Sequence, residues 1–122
     1  MHNILVIDKT IGPAMKFIDA LSSPNLEVTF TDQLTQAIKN VKRNDYDLII
    51  LGDRTDDGTT YDAALAIKDG KKNKQIPIVC VGTNTGKIAK IMKLLRPYAF
   101  STSPGTVSIT VGRVAQYLGN KE

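Results

Sequence analysis

An α/β architecture, with a parallel five-stranded sheet covered by helices on both faces, is what the 122-residue sequence predicts. Three observations carry that reading. Short apolar runs of strand length alternate with stretches whose apolar residues recur at helical spacing, five times along the chain. Two runs, Ile4-Leu5-Val6-Ile7 and Leu48-Ile49-Ile50-Leu51, are continuous rather than alternating, which marks strands buried on both faces. The composition, 42% hydrophobic and 23% charged, is that of an ordinary globular protein and excludes a disordered tail, a collagen-like fibre or a disulfide scaffold. A chain of 13.3 kDa suits one domain over residues 1–122. At this length about two thirds of the unfolded surface is buried on folding, enough for a real core.

The elements follow in order. Ile4 to Ile7 is the first strand and ends at Asp8. Gly12-Pro13 punctuates, and Pro13 suits a first helical turn before Ala14, Phe17, Ile18 and Leu21 at i, i+3, i+4, i+7. Ser22-Ser23-Pro24-Asn25 closes that helix. Leu26 to Thr31 reads as strand two with Val28 and Phe30 inward. Asp32 is its candidate cap for a second helix with the stripe Leu34, Ala37, Ile38, Val41. Leu48 to Leu51 is the strongest strand signal and therefore central. The loop Gly52-Asp53-Arg54-Thr55-Asp56-Asp57-Gly58 leads to a third helix over Thr60 to Asp69, with Ala64, Leu65 and Ile67 buried and Gly70 as its stop. After the basic loop Lys71, Lys72, Lys74 comes strand four, Ile78 to Val81. Thr85 can cap a fourth helix bearing Ile88, Ile91, Met92 and Leu95, which Pro97 ends. Ala99-Phe100-Ser101 is a short fifth strand, and Val107, Val111, Val114 and Leu118 stripe the last helix.

Several function classes drop out early. Cys80 is the lone cysteine, so there is no internal disulfide and no all-cysteine metal site; inside Ile78-Val79-Cys80-Val81 it reads as a small buried hydrophobe. No run reaches the ~18 apolar residues of a membrane span. The start Met1-His2-Asn3 lacks a signal peptide's basic region, so a cytoplasmic protein with no membrane partner is expected. His2 stands without a paired acid or nucleophile, and no catalytic triad or Cys-His pair can be assembled; no enzyme activity is expected. The net charge of +4 and pI near 9.2 permit an acidic partner without requiring nucleic acid.

In open parallel sheets the functional crevice lies at the carboxyl ends of the strands. Those ends are Asp8-Lys9, Gly52-Asp53, Gly82-Thr83 and Ser103-Pro104. From about Asn3 to Leu118 the chain resembles the receiver domain of two-component response regulators, the flavodoxin-like (βα)5 three-layer sandwich of the chemotaxis regulator. The resemblance rests on Ile4 to Asp8, on Tyr46-Asp47-Leu48-Ile49-Ile50-Leu51, on Ile76-Pro77-Ile78-Val79-Cys80-Val81 and on Ser103-Pro104. Such a domain transfers a phosphoryl group onto an aspartate beside a magnesium ion. The hard cation calls for carboxylate oxygens, and the transferred group for cationic and hydroxyl partners. The family places an acidic pair after strand one, the acceptor aspartate after strand three, a Thr or Ser after strand four, and a Lys before Pro after strand five. Here Asp8 fills the first acidic position, but Lys9 stands at the second, Gly52 at the acceptor, Gly82 at the Thr/Ser and Ser103 at the lysine.

The resemblance therefore implies a degenerate pseudo-receiver with no catalytic residue and no cofactor. Its expected role is a phosphorylation-independent protein–protein interaction module in signalling. A second reading uses Asp53 and Thr83, each one residue late, to rebuild part of the pocket with Asp8, so that Asp53 accepts phosphate and Asp8 and Asp53 hold Mg2+. Against it, a one-residue slip turns a strand side chain to the opposite face, and no cation replaces the lysine unless Lys9 swings in.

Other motifs carry less. Asp56-Asp57-Gly58 offers too few ligands at defined offsets for a dedicated metal site and reads as a solvated turn, or as fixed charges that screen Lys9 and Arg54. Gly82-Thr83-Asn84-Thr85-Gly86-Lys87 sits between strand and helix like a phosphate loop, but it is one residue short and Ile88 replaces the Ser or Thr. A plain loop and cap is the reading. In receivers the face of helix four, strand five and helix five carries dimerisation or output. Here it bears Lys87, Lys90 and Lys93 beside Arg96, Tyr98 and Phe100 on one side of the strand, and Ile109, Arg113 and Tyr117 on the last helix. A protein with an acidic surface or a second copy of the chain suits it. Nucleic acid along the Lys87-Lys90-Lys93 stripe is the third reading, weakened by modest charge and the lack of a helix-turn-helix pattern. The chain ends just after the fifth helix, which leaves a stand-alone protein or a piece of a longer one.

Overall fold

Side chains alternate faces along a strand, so each continuous apolar run feeds two cores at once. The structure, a computed structural model, describes residues 2–22, 25–82, 84–102 and 107–119. In β1 (His2–Ile7), Leu5 and Ile7 enter one core while Ile4 and Val6 enter the other. β3 (Leu48–Leu51) divides in the same way, Ile49 and Leu51 against Leu48 and Ile50. β4 (Ile78–Cys80) gives Ile78 and Cys80 to the first core and Val79 to the second. Together with β2 (Leu26–Thr31) and β5 (Ala99–Ser101) they form one sheet in the order β2-β1-β3-β4-β5, with every pair parallel. The two continuous runs are interior strands, as expected.

Five helices cover the sheet. Ala14, Phe17, Ile18 and Leu21 of α1 (Gly12–Leu21) and Val114 and Leu118 of α5 (Val107–Gly119) close the core of Ile4 and Val6. Ala37 and Val41 of α2 (Leu34–Arg43), Ala63, Ala64 and Ile67 of α3 (Thr60–Asp69) and Ile91 of α4 (Thr85–Leu94) close the other. Cys80 lies in the core of Leu5 and Ile7, where burial pushes its thiol up to about 12. No helix among the described residues is long and apolar enough to cross a membrane.

Several local expectations need correction. Phe30 points to the α1–α5 face with Ile4 and Val6 but is 39% exposed, because it sits at the far end of the edge strand β2, with a neighbouring strand on one side alone. In α3 it is Ala63, not Leu65, that is fully buried; Leu65 is half-covered. Asp32 does not cap α2. The cap position is Gln33, and Asp57 reaches over from the β3–α3 loop to accept from the Leu34 amide and from the Thr35 amide at 3.3 Å. Those hydrogen bonds to the ionised form hold the Asp57 carboxyl below the usual carboxylate range. At α4 the capping side chain is Asn84, which accepts from the Lys87 amide at 3.0 Å, one residue before the expected Thr85.

One buried polar residue had no mark in the sequence. Asn73, 7% exposed and at φ 64°, accepts from the Tyr46 amide at 2.7 Å and donates to the carbonyls of Val41 and Asn44, both at 2.9 Å. It ties the α2–β3 turn to the α3–β4 loop and aligns the start of β3. His2 is not alone: its Nδ1 lies 3.8 Å from Asp47 Oδ2, at the amino edge of the sheet and far from the crevice.

Candidate functional site

The strand order reverses between β1 and β3, and the crevice opens there. The register aligns Ile7 with Leu51 and Leu51 with Cys80. One step further along each strand sets Asp8 opposite Gly52 and, one more, Asp53 opposite Gly82. Each pair holds one carboxylate and one glycine. A Cβ at Gly52 would lie 1.9 Å from Asp8 Cγ and 2.0 Å from Asp8 Oδ2; one at Gly82 would lie 2.0 Å from Asp53 Oδ1. Both carboxylates thus occupy the volume that any side chain at the opposing position needs. Gly82 also has φ +145°, a backbone conformation that residues with a Cβ rarely adopt.

Asp8 is 6% exposed and its Oδ1 accepts from the Lys9 amide at 2.7 Å. Burial raises its carboxyl above the ordinary value. Hydrogen bonding from the backbone of Lys9, Arg54 and Thr10 works against that, and the charge of nearby Asp53 adds to it. Asp8 and Asp53, just beyond the ends of β1 and β3, therefore feel one another. The side chain of Lys9 is exposed. Thr83 and Ser103 lie outside the described residues. Among the described residues no three His, Cys, Asp or Glu side chains converge as a metal cluster.

The acidic loop after β3 is built, not loose. Asp57 caps α2, Asp56 accepts from Gln33 Nε2 at 3.3 Å, and Thr55 Oγ1 donates to the Gly58 carbonyl at 3.0 Å. Among the described residues no ion pair joins Lys9 or Arg54 to Asp56 or Asp57, whose carboxylates take up the Gln33 side chain and the α2 amides.

No protein-family model matches the chain, and no curated protein sequence matches it. Solved structures do. The receiver domain of a sensor histidine kinase from Pseudomonas aeruginosa, with magnesium coordinated in its active-site cleft, superposes with a TM-score of 0.72 at 17% identity, over 97% of this chain and 98% of that one. The non-phosphorylated HemR receiver domain from Leptospira biflexa gives 0.69 at 23% identity, over 94% of each chain. A two-component response regulator from Clostridium difficile gives 0.69 at 20%, over 100% and 99%. The fold is that of a receiver domain.

On this receiver fold the second candidate region, α4–β5–α5, is open. Tyr98 and Phe100 do lie on one side of β5, and both meet Tyr117 of α5 edge-on, with ring centroids 6.5 and 6.2 Å apart. Lys90, Lys93, Arg96 and Arg113 are exposed, Lys87 is half-covered, and Ile109 is 60% exposed. The two regions are thus opposites: a crevice in which carboxylates lie against glycines, and a basic, partly apolar face that no other described residue covers.

Proposed function

We propose that the chain is a receiver domain of two-component signalling that has given up phosphoryl transfer and acts as a protein–protein interaction module. The observation that carries this reading is the Asp8–Gly52 pair. The family's acceptor position is a glycine, and its side-chain volume is taken by a carboxylate held by the Lys9 amide. The donor set also fits magnesium poorly: Asp8 and Asp53 are two carboxylates just beyond the ends of different strands, with Lys9 in place of the second acid. On this reading the pocket has no cofactor, and recognition passes to the α4–β5–α5 face, with an acidic protein surface as partner.

A second reading has one observation in its favour. Asp53 turns its carboxylate into the crevice beside Gly82, close enough for its charge to be felt at Asp8. Incubation with acetyl phosphate and magnesium, followed by intact mass, decides between them. The pseudo-receiver stays at its unmodified mass; a mass gain that disappears in Asp53→Ala makes Asp53 the acceptor.

A further inference from the structure

From Gly70 to Lys121 the sequence carries nine lysines and arginines and not one aspartate or glutamate. Met1 to Asp69 carries eleven acids and seven bases. The sheet order puts the basic segment, β4, α4, β5 and α5, at one edge of the molecule. Of these cations Lys72 reaches an acid of the other half, Asp45, at 3.3 Å. Arg96 and Arg113 pair with no carboxylate among the described residues.

These two arginines, one from the α4–β5 turn and one from α5, line a groove of about 430 Å3 over β5. Met92 and Phe100 line it, and Ile109 stands exposed within it. Its walls are fixed: Thr110 Oγ1 donates to the Ser101 carbonyl at 3.0 Å, and Tyr117 holds Phe100 edge-on. A floor that is largely apolar, with Ser101 and Thr110 in it, and that is joined by guanidinium groups from two elements is complementary to an apolar side chain with carboxylates beside it. The volume admits a side chain or two rather than a whole globular surface.

We infer that this groove binds a short linear segment of a partner protein in which an apolar residue is bracketed by Asp or Glu, each carboxylate taken by Arg96 or Arg113. The inference rests on the reading above, which moves function to this face, and names the partner's chemistry. Nucleic acid fits the groove less well. The Tyr98 and Phe100 rings are engaged by Tyr117 rather than presented for base stacking, and the apolar floor has no use for a phosphate backbone.

Selection from a randomised peptide display library tests it, with Arg96→Glu/Arg113→Glu as the variant and Lys16→Glu, on exposed α1 surface, as the charge control. The selected peptides are expected to carry Asp or Glu on both sides of Leu, Ile or Phe. Their affinity falls about ten-fold or more in the double variant and much less in Lys16→Glu. Unchanged thermal unfolding shows that the variant folds. Selected peptides without acids, equal losses in the two variants, tighter binding of oligo-dT than of any selected peptide, or a groove closed by a second copy of the chain would each overturn it. Repeating the binding after acetyl phosphate treatment separates the two claims. Binding that appears only with a gain in mass sinks phosphorylation independence and leaves the groove; absence of binding in both states sinks the groove alone.

Discussion

The crevice at the strand ends and the groove over β5 use charge in opposite ways. In the crevice, Asp8 and Asp53 each lie against a glycine and fill the space a side chain would need there. In the groove, Arg96 and Arg113 flank apolar surface, and no carboxylate of the described chain meets them. A carboxylate packed against a glycine belongs to the scaffold, whereas unmatched charge beside apolar surface is a binding device. Substitutions in the crevice should therefore be read in folding, and substitutions in the groove in association.

The largest expected effect is at Gly52. Gly52→Ala displaces the Asp8 carboxylate, the far end of a side chain, from the Lys9 amide, at a cost of about 1–2 kcal/mol. Chemical denaturation of Gly52→Ala, Asp8→Ala and the double variant checks the pairing, because the alanine at Gly52 costs much less once Asp8 is truncated. Equal costs in both backgrounds would break the account of the crevice.

Asp57→Ala comes next. It strips the α2 amides of their cap and lowers the melting temperature by a few degrees at neutral pH. The Asp57 carboxyl is held below its ordinary value when folded, so its contribution is present above the unfolded value and is lost as pH falls through the folded one. Melting curves of wild type and variant should accordingly converge in acid.

Asp8→Asn is smaller and of opposite sign. Burial lifts the folded Asp8 carboxyl, so its ionisation opposes folding above the folded value and the penalty vanishes below the unfolded one. The variant melts slightly higher than wild type at pH 7, and a pH series shows the gain shrinking toward acid.

The smallest effect sharpens the comparison from the other side. Arg96→Glu/Arg113→Glu removes no ion pair within the described chain and shifts stability by about 0.5 kcal/mol or less in urea denaturation. A large loss would mean that the groove is part of the scaffold.

The fold was legible because continuous apolar runs can be satisfied only by strands buried on two faces, and Ile4 to Ile7 and Leu48 to Leu51 have no other use. The limits are as physical. Alternation told which face Phe30 takes but not how well that end of an edge strand is covered. Asp57 and Asn73 act on residues 22 to 32 positions away, and their roles follow from which loops the sheet brings together rather than from local pattern. The crevice lay between these cases. Both glycines stood in plain view at the strand ends, yet that Asp8 fills Gly52's place and Asp53 fills Gly82's depends on strand register, which single-sequence periodicity does not carry.

The central claim is that the crevice is occupied by the protein's own carboxylates and answers to no phosphoryl group. Backbone amide NMR during titration with magnesium and beryllofluoride, the phosphoryl mimic, tests it most directly. The account predicts no saturable shifts at Asp8, Gly52, Asp53 or Gly82. Saturable shifts at those residues that vanish in Asp53→Ala would contradict it and make the chain a rewired switch.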